Sequence, residues 1–150
     1  MAKGSKQKGR KNPAFGPEVD ERFEDLSIGS IRLIKYLDKV SVSLRYYQRS
    51  CECFSHWTAQ ELKAFSLMIE KILGYTAAAL LGKKNLCEMH KGKPGRSRFS
   101  YPDGISPDQT FWEIKVDQSN KLRIHGFFVA EVFFLVWLDR EHECFPYHKH

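Results

Sequence analysis

The sequence predicts an α+β fold: an antiparallel sheet with a C-terminal three-stranded meander packed on one main helix, preceded by a flexible basic arm. A capped stripe of apolar residues at helical spacing follows Trp57. Beyond Pro107 the hydrophobic period changes to two. The first seventeen residues hold almost no large apolar group.

The helix is the clearest element. Thr58-Ala59-Gln60-Glu61 is a capping box, in which the threonine hydroxyl accepts an orphan backbone N–H and the glutamate accepts one in return. Leu62, Phe65, Ile69, Ile72, Leu73, Thr76, Ala79 and Leu80 recur at helical spacing, and Gly82 is placed to end the segment in a left-handed cap. Gly74 is expected to bend or shorten it. Phe111 to Val116, Leu122 to Val129 and Val132 to Leu138 are apolar-rich runs separated by Asp117-Gln118-Ser119-Asn120 and Ala130-Glu131, which predicts a meander. The last run is apolar on both faces and belongs inside the sheet. Val40 to Tyr47 alternates β-branched and aromatic residues with polar ones and reads as a further strand. Lys83 to Pro107, rich in Gly, Pro, Lys and Arg, reads as a long basic loop.

Residues 1–17 carry Lys3, Lys6, Lys8, Arg10 and Lys11 and are expected to form a disordered arm, because nothing there offsets the entropy of ordering. Residues 18–150 then form a single α+β domain, starting with the acidic stretch Glu18, Asp20, Glu21, Glu24 and Asp25. At 150 residues the chain can bury a core without staples. Four cysteines without a secretory signal predict reduced thiols and a cytoplasmic location, and no apolar run reaches the roughly 20 residues of a membrane span.

Lys plus Arg number 24 against 18 Asp plus Glu, a formal charge of +6 that attracts polyanions, with RNA favoured over DNA. The expected nucleic-acid-binding residues are Lys91, Lys93, Arg96 and Arg98 in the basic loop and Lys121 at the start of the middle meander strand. On that strand Lys121, Arg123 and His125 alternate with Leu122, Ile124 and Gly126, so three basic side chains share one face and offer a phosphate site; a merely solvated strand face has the same pattern. The next strand ends in Asp139-Arg140-Glu141-His142, followed by Tyr147. Metal-free RNA cleavage needs a base for the 2′-hydroxyl proton, a cation for the phosphorane and an acid for the leaving oxygen. Arg123, His125, Arg140 and His142 supply those types.

The runs Lys121-Leu122-Arg123-Ile124-His125-Gly126, Phe133-Phe134-Leu135-Val136-Trp137 and Asp139-Arg140-Glu141-His142, following a helical segment, resemble the RelE/ParE superfamily of bacterial toxins. The resemblance covers Trp112 to Tyr147. It implies a toxin of a toxin–antitoxin or phage-defence system that cuts RNA, including ribosome-bound mRNA, without metal or cofactor. By position the reaction would fall on Arg123, Arg140, His142 and Tyr147. It also implies a neutralising antitoxin with an acidic or apolar segment over the basic face. That family usually has two helices before its meander, whereas the spacing here shows one.

Two other readings compete. Pro102-Asp103 with Glu113-Ile114-Lys115 resembles the Pro-Asp…Glu-x-Lys signature of metal-dependent nucleases, with Asp108 as a second candidate acid. A non-catalytic module that binds nucleic acid or protein is the other. Cys51-x-Cys53 with Cys87-x-x-His90 has the wrong spacing for structural zinc, so no metal site is expected. Trp57, Trp112 and Trp137 are expected in the core.

Overall fold

The computed structural model describes residues 38–118 and 121–146. The basic arm, the acidic stretch after it and Tyr147 lie outside those residues. In chain order the elements are β1 (Ser41–Ser43), a 3₁₀ turn (Phe54–His56), α1 (Ala59–Ile72), α2 (Ala77–Leu81), β2 (Cys87–His90), β3 (Phe111–Lys115), β4 (Arg123–Val129) and β5 (Val132–Asp139). The strands make one sheet in the order β1-β5-β4-β3-β2, parallel between β1 and β5 and antiparallel elsewhere. The fold is α+β, and β5 is an interior strand.

Several elements differ from the sequence expectation. The helical segment is two helices, because the Gly74 and Tyr75 N–H groups turn back to the Lys71 and Ile72 carbonyls and Thr76 then caps α2 by accepting the Ala79 N–H at 3.1 Å. Thr76, counted as helix interior, is therefore a start signal. Gly82 ends α2 in the right-handed region (φ −73°), not in a left-handed cap. The capping box at Thr58 is present, with Thr58 N to Glu61 Oε2 at 2.7 Å and Glu61 N to Thr58 Oγ1 at 3.2 Å. The first strand is only Ser41–Ser43, after which Tyr47 N turns onto Leu44 O. The long basic loop contains β2, which makes the antiparallel meander four strands instead of three. Cys87-Glu88-Met89-His90 has none of the β-branched or aromatic residues that mark a strand, and pairing with β3 creates it.

Each sheet face has its own core. On one, Met68, Ile72, Ala77 and Leu80 of the helices pack on Ile114, Ile124, Phe133, Leu135 and Leu138. On the other, residues 91–110 and the segment after β5 fold over the sheet, burying Phe99, Phe111, Phe127, Val136, Trp137, Cys144 and Phe145. Trp57 and Trp137 are buried and Trp112 is half-buried. Trp137 Nε1 donates to Ser100 O at 2.9 Å and Gly95 N to Cys144 O at 2.7 Å, tying this cover down.

A bulge in β5 decides which side chains share that second face. His125 pairs with Trp137 but Gly126 pairs with Leu135, so Val136 is an extra residue. Phe133 and Leu135 face the helices, whereas Val136 and Trp137 both face away from them. Side chains alternate along a strand, so the extra residue flips the parity of everything after it. Asp139 consequently lands on the face of Arg123 and His125.

Candidate functional site

Parity and register gather a cluster of ionisable groups on the second face. Glu88 lies opposite Glu113, Glu113 opposite His125, and Arg123 opposite Asp139. His90, two residues after Glu88, shares its face. His142 reaches the same point from the segment after β5, held with its backbone in the left-handed region at φ 57°. Such a conformation is uncommon for a residue with a side chain and is typical of turns and functional sites.

Glu113 is the hub and is fully buried. Its Oε1 accepts from Arg123 Nε at 2.8 Å, and its Oε2 lies 3.1 Å from His90 Nε2 and 3.2 Å from His142 Nε2. Burial alone would raise the carboxyl pKa, but the His90 hydrogen bond and the nearby His125, His142 and His90 charges outweigh it and hold the pKa at about 2. An ionised carboxylate only accepts, so both imidazoles place Nε2–H toward it. His90 is further fixed by stacking on Phe145, with ring centroids 4.6 Å apart and planes 5° apart. The side chains of His90, His142 and Arg123 keep 16, 12 and 10 % of their surface exposed, so the cluster reaches the surface through these three.

Behind it lies a second pair. His125 Nε2 is 2.9 Å from Asp139 Oδ2, and both side chains are enclosed. Asp139 also accepts from the backbone N–H groups of Glu143 and Cys144, each at 2.8 Å. Burial works against its ionisation, yet the His125 hydrogen bond and those N–H donors pull its pKa below the usual carboxylate range. Asp139 thus anchors the turn that carries His142. The thiol of the neighbouring Cys144 is pushed far up by burial and is inert at neutral pH.

Of the sequence-predicted residues, Arg123, His125 and His142 come together. Arg123 and His125 are buried and paired with carboxylates, so this strand face is not an open row of three basic side chains, and of the two only the edge of Arg123 reaches the surface. Arg140 goes elsewhere. Its Nε donates to Glu61 Oε1 at 2.8 Å and its backbone N to Glu52 Oε2 at 2.8 Å, which places it at the start of α1. Tyr147 is outside the described residues. Lys91, Lys93 and Arg96 are exposed on the loop after β2. Arg98 is half engaged, 2.8 Å from Glu143 and over the Phe99 ring, and Lys121 lies 3.8 Å from Glu141.

The residues sequence reasoning passed over are Glu88 and Asp139, together with His90 and Glu113 in their observed company. The signal for two of them was present. Glu113 and Asp139 are carboxylates within or at the end of apolar strand runs, where a charge persists only with partners. Glu88, His90 and Glu113 also form a cluster whose ligand atoms lie within 4.8 Å of one another. No such cluster among the described residues includes Cys51 or Cys53; Cys51 Sγ instead contacts Ser100 Oγ at 3.3 Å. Asp103 lines a separate hollow with Arg45, Tyr46, Gln48, Ser100 and Tyr101.

Compared with models of known protein families, with curated proteins and with solved structures, the chain matches none. Among the described residues no helix is long and apolar enough to cross a membrane.

Proposed function

We propose that this protein is a metal-independent endoribonuclease of the toxin type. The observation that carries the reading is the convergence of two imidazoles and a guanidinium on one ionised carboxylate, at 2.8 to 3.2 Å, where the cluster meets the surface. These are the groups that RNA transesterification requires. One of the two histidines, His90 or His142, takes the 2′-hydroxyl proton as the 2′-oxygen bonds to phosphorus. The other, protonated, gives its proton to the 5′-oxygen as the phosphorus–oxygen bond breaks, leaving a 2′,3′-cyclic phosphate and a 5′-hydroxyl. Arg123 faces the charge that develops on the phosphorane oxygens. Glu113 aims all three groups. His125, enclosed, serves through Asp139 as a positioning residue. Two helices ahead of an antiparallel meander, as in the RelE/ParE-like toxins the sequence resembles, favour the same reading.

Lys91, Lys93 and Arg96 adjoin His90 in sequence, and in this reading they receive the RNA backbone, with Arg98 of the same loop and Lys121 at the start of the segment leading into β4 as further phosphate contacts. Ribosome-bound mRNA is the proposed substrate. A neutralising antitoxin would cover this basic surface with an acidic or apolar segment. The reading also fits a location in the cytoplasm. The metal-dependent alternative pairs Glu113 with Asp103, but Asp103 lies in its own hollow, and the acid that faces Glu113 is Glu88 on the neighbouring strand, while Glu113 itself is held by Arg123 and two histidines.

The test is cleavage of single-stranded RNA and of ribosome-bound mRNA, with a DNA control, in the presence of EDTA. Wild type should cut RNA only, and His142→Ala and His90→Ala should each lower the rate by roughly 100-fold, typical for loss of one positioned acid–base group. Cleavage that needs Mg²⁺, or that both variants retain, would remove this mechanism.

A further inference from the structure

We propose that Glu88, His90, Glu113 and His142 form a binding site for a divalent transition-metal cation of the zinc class, and that the bound ion blocks the two histidines. The binding half stands on geometry alone; the blocking half rests on the ribonuclease reading above.

The donor atoms of Glu88, His90 and Glu113 are gathered within reach of one ion, and His142 adjoins them through Glu113. Tetrahedral bonds of about 2.0–2.2 Å put neighbouring ligand atoms roughly 3.3–3.6 Å apart. His90 Nε2 and His142 Nε2 lie 3.1 and 3.2 Å from the same Glu113 oxygen. A carboxylate oxygen of Glu88 and the His90 and Glu113 donors fit within 4.8 Å. The paired strands β2 and β3 supply three of the ligands: Glu88 faces Glu113 across the ladder, and His90 follows on the same face. These are rigid elements, so little ordering is left for the ion to impose.

The chemistry selects the ion. Two imidazole nitrogens with two carboxylates suit Zn²⁺, and less tightly Mn²⁺ or Co²⁺, whereas Mg²⁺ and Ca²⁺ prefer all-oxygen shells. Arg123 on Glu113 Oε1 becomes the outer partner that orients the ligating carboxylate, the role such partners play around metal sites. Binding replaces the two Nε2–H···O contacts with Nε2–metal bonds, and each neutral imidazole moves its remaining proton to Nδ1. Nδ1, the nitrogen left to accept a substrate proton while Nε2–H faces Glu113, then already carries a proton. A ribonuclease with these histidines tied to zinc is switched off, and a chelator restores it.

The experiment titrates Zn²⁺ into chelator-treated full-length protein by calorimetry and by competition with a zinc-binding dye, with Mg²⁺ as a comparison. One Zn²⁺ per chain is expected, with no competition from Mg²⁺. Glu88→Gln and His90→Ala should weaken binding by about 100-fold, since even an outer partner of a metal site is worth roughly 10–100-fold. A urea midpoint measured for each variant separates loss of a ligand from loss of the fold. Unchanged affinity in both variants would overturn the site, as would loss of binding in a His148→Asn, His150→Asn variant, which would assign the metal to the terminal histidines. RNA cleavage is then measured with Zn²⁺ and after EDTA. Tight binding with no loss of cleavage would overturn the blocking half alone. Tight binding by a protein that cuts no RNA would leave the cation site and remove the ribonuclease reading.

Discussion

Replacing Glu113 with Gln tests the hub directly. The substitution keeps the shape and removes the charge that Arg123, His90 and His142 share. Glu113 is fully buried and the Arg123 side chain is 10 % exposed, so the guanidinium would stay in the protein interior without the Glu113 charge at 2.8 Å. Removing one partner of a buried ion pair costs about 3–5 kcal/mol, a large part of the roughly 5–15 kcal/mol that stabilises an ordinary domain. Urea denaturation at pH 7 should show a loss of that size. Replacing both partners, as Glu113→Leu with Arg123→Met, should recover part of it, because the buried guanidinium is removed together with the carboxylate. The same carboxylate makes an acid limb. Its pKa falls from 4.5 in the unfolded chain to about 2 in the fold. Its contribution is therefore complete above about pH 4.5 and is lost as the pH falls toward 2. At about 1.4 kcal/mol per tenfold change in proton affinity, that contribution is on the order of 3 kcal/mol. Wild type should lose stability across this window, and Glu113→Gln should lose correspondingly less. A variant within about 1 kcal/mol of wild type at pH 7, with an acid limb like that of wild type, would refute the placement of Glu113 at the centre of the cluster.

Two further changes probe the frame that holds the site. Thr58→Ala removes the hydroxyl that accepts Glu61 N at 3.2 Å and should cost about 0.5–2 kcal/mol; an unchanged urea midpoint would show that the capping box contributes nothing. Gly126→Ala should destabilise by about 3 kcal/mol or more, because a Cβ there would stand 2.1 Å from the Phe134 carbonyl oxygen and 2.7 Å from the Phe133 ring, beside the bulge. A thermal midpoint equal to that of wild type would mean that β4 and β5 do not approach so closely.

The sequence by itself determined the elements whose signals are local. The capping box fixed the start of α1, since both of its partners lie within one turn, and the period-two runs marked β3, β4 and β5 to within about a residue of their ends. It also put Arg123 and His125 among the candidate residues, because alternation assigns strand residues to faces, and His142 by its residue type just after the last strand. Thr76 shows the limit of a periodic pattern: it fits the helical stripe at its spacing, yet its side chain caps α2. Tertiary structure decided the rest. β2 has no intrinsic strand preference and forms by pairing with β3, which brings Glu88 and His90 to Glu113. Asp139 reaches His125 only because Val136 bulges, and strict alternation would have turned it toward the helices. Arg140 lies two residues from His142 but leaves the cluster for Glu61, because the chain turns out of the sheet after Asp139. Alternation and capping act over a few residues and can be read from the chain. The company of a buried charge is set by register and by the burial that makes an unpaired charge costly, and both exist only once the strands have met.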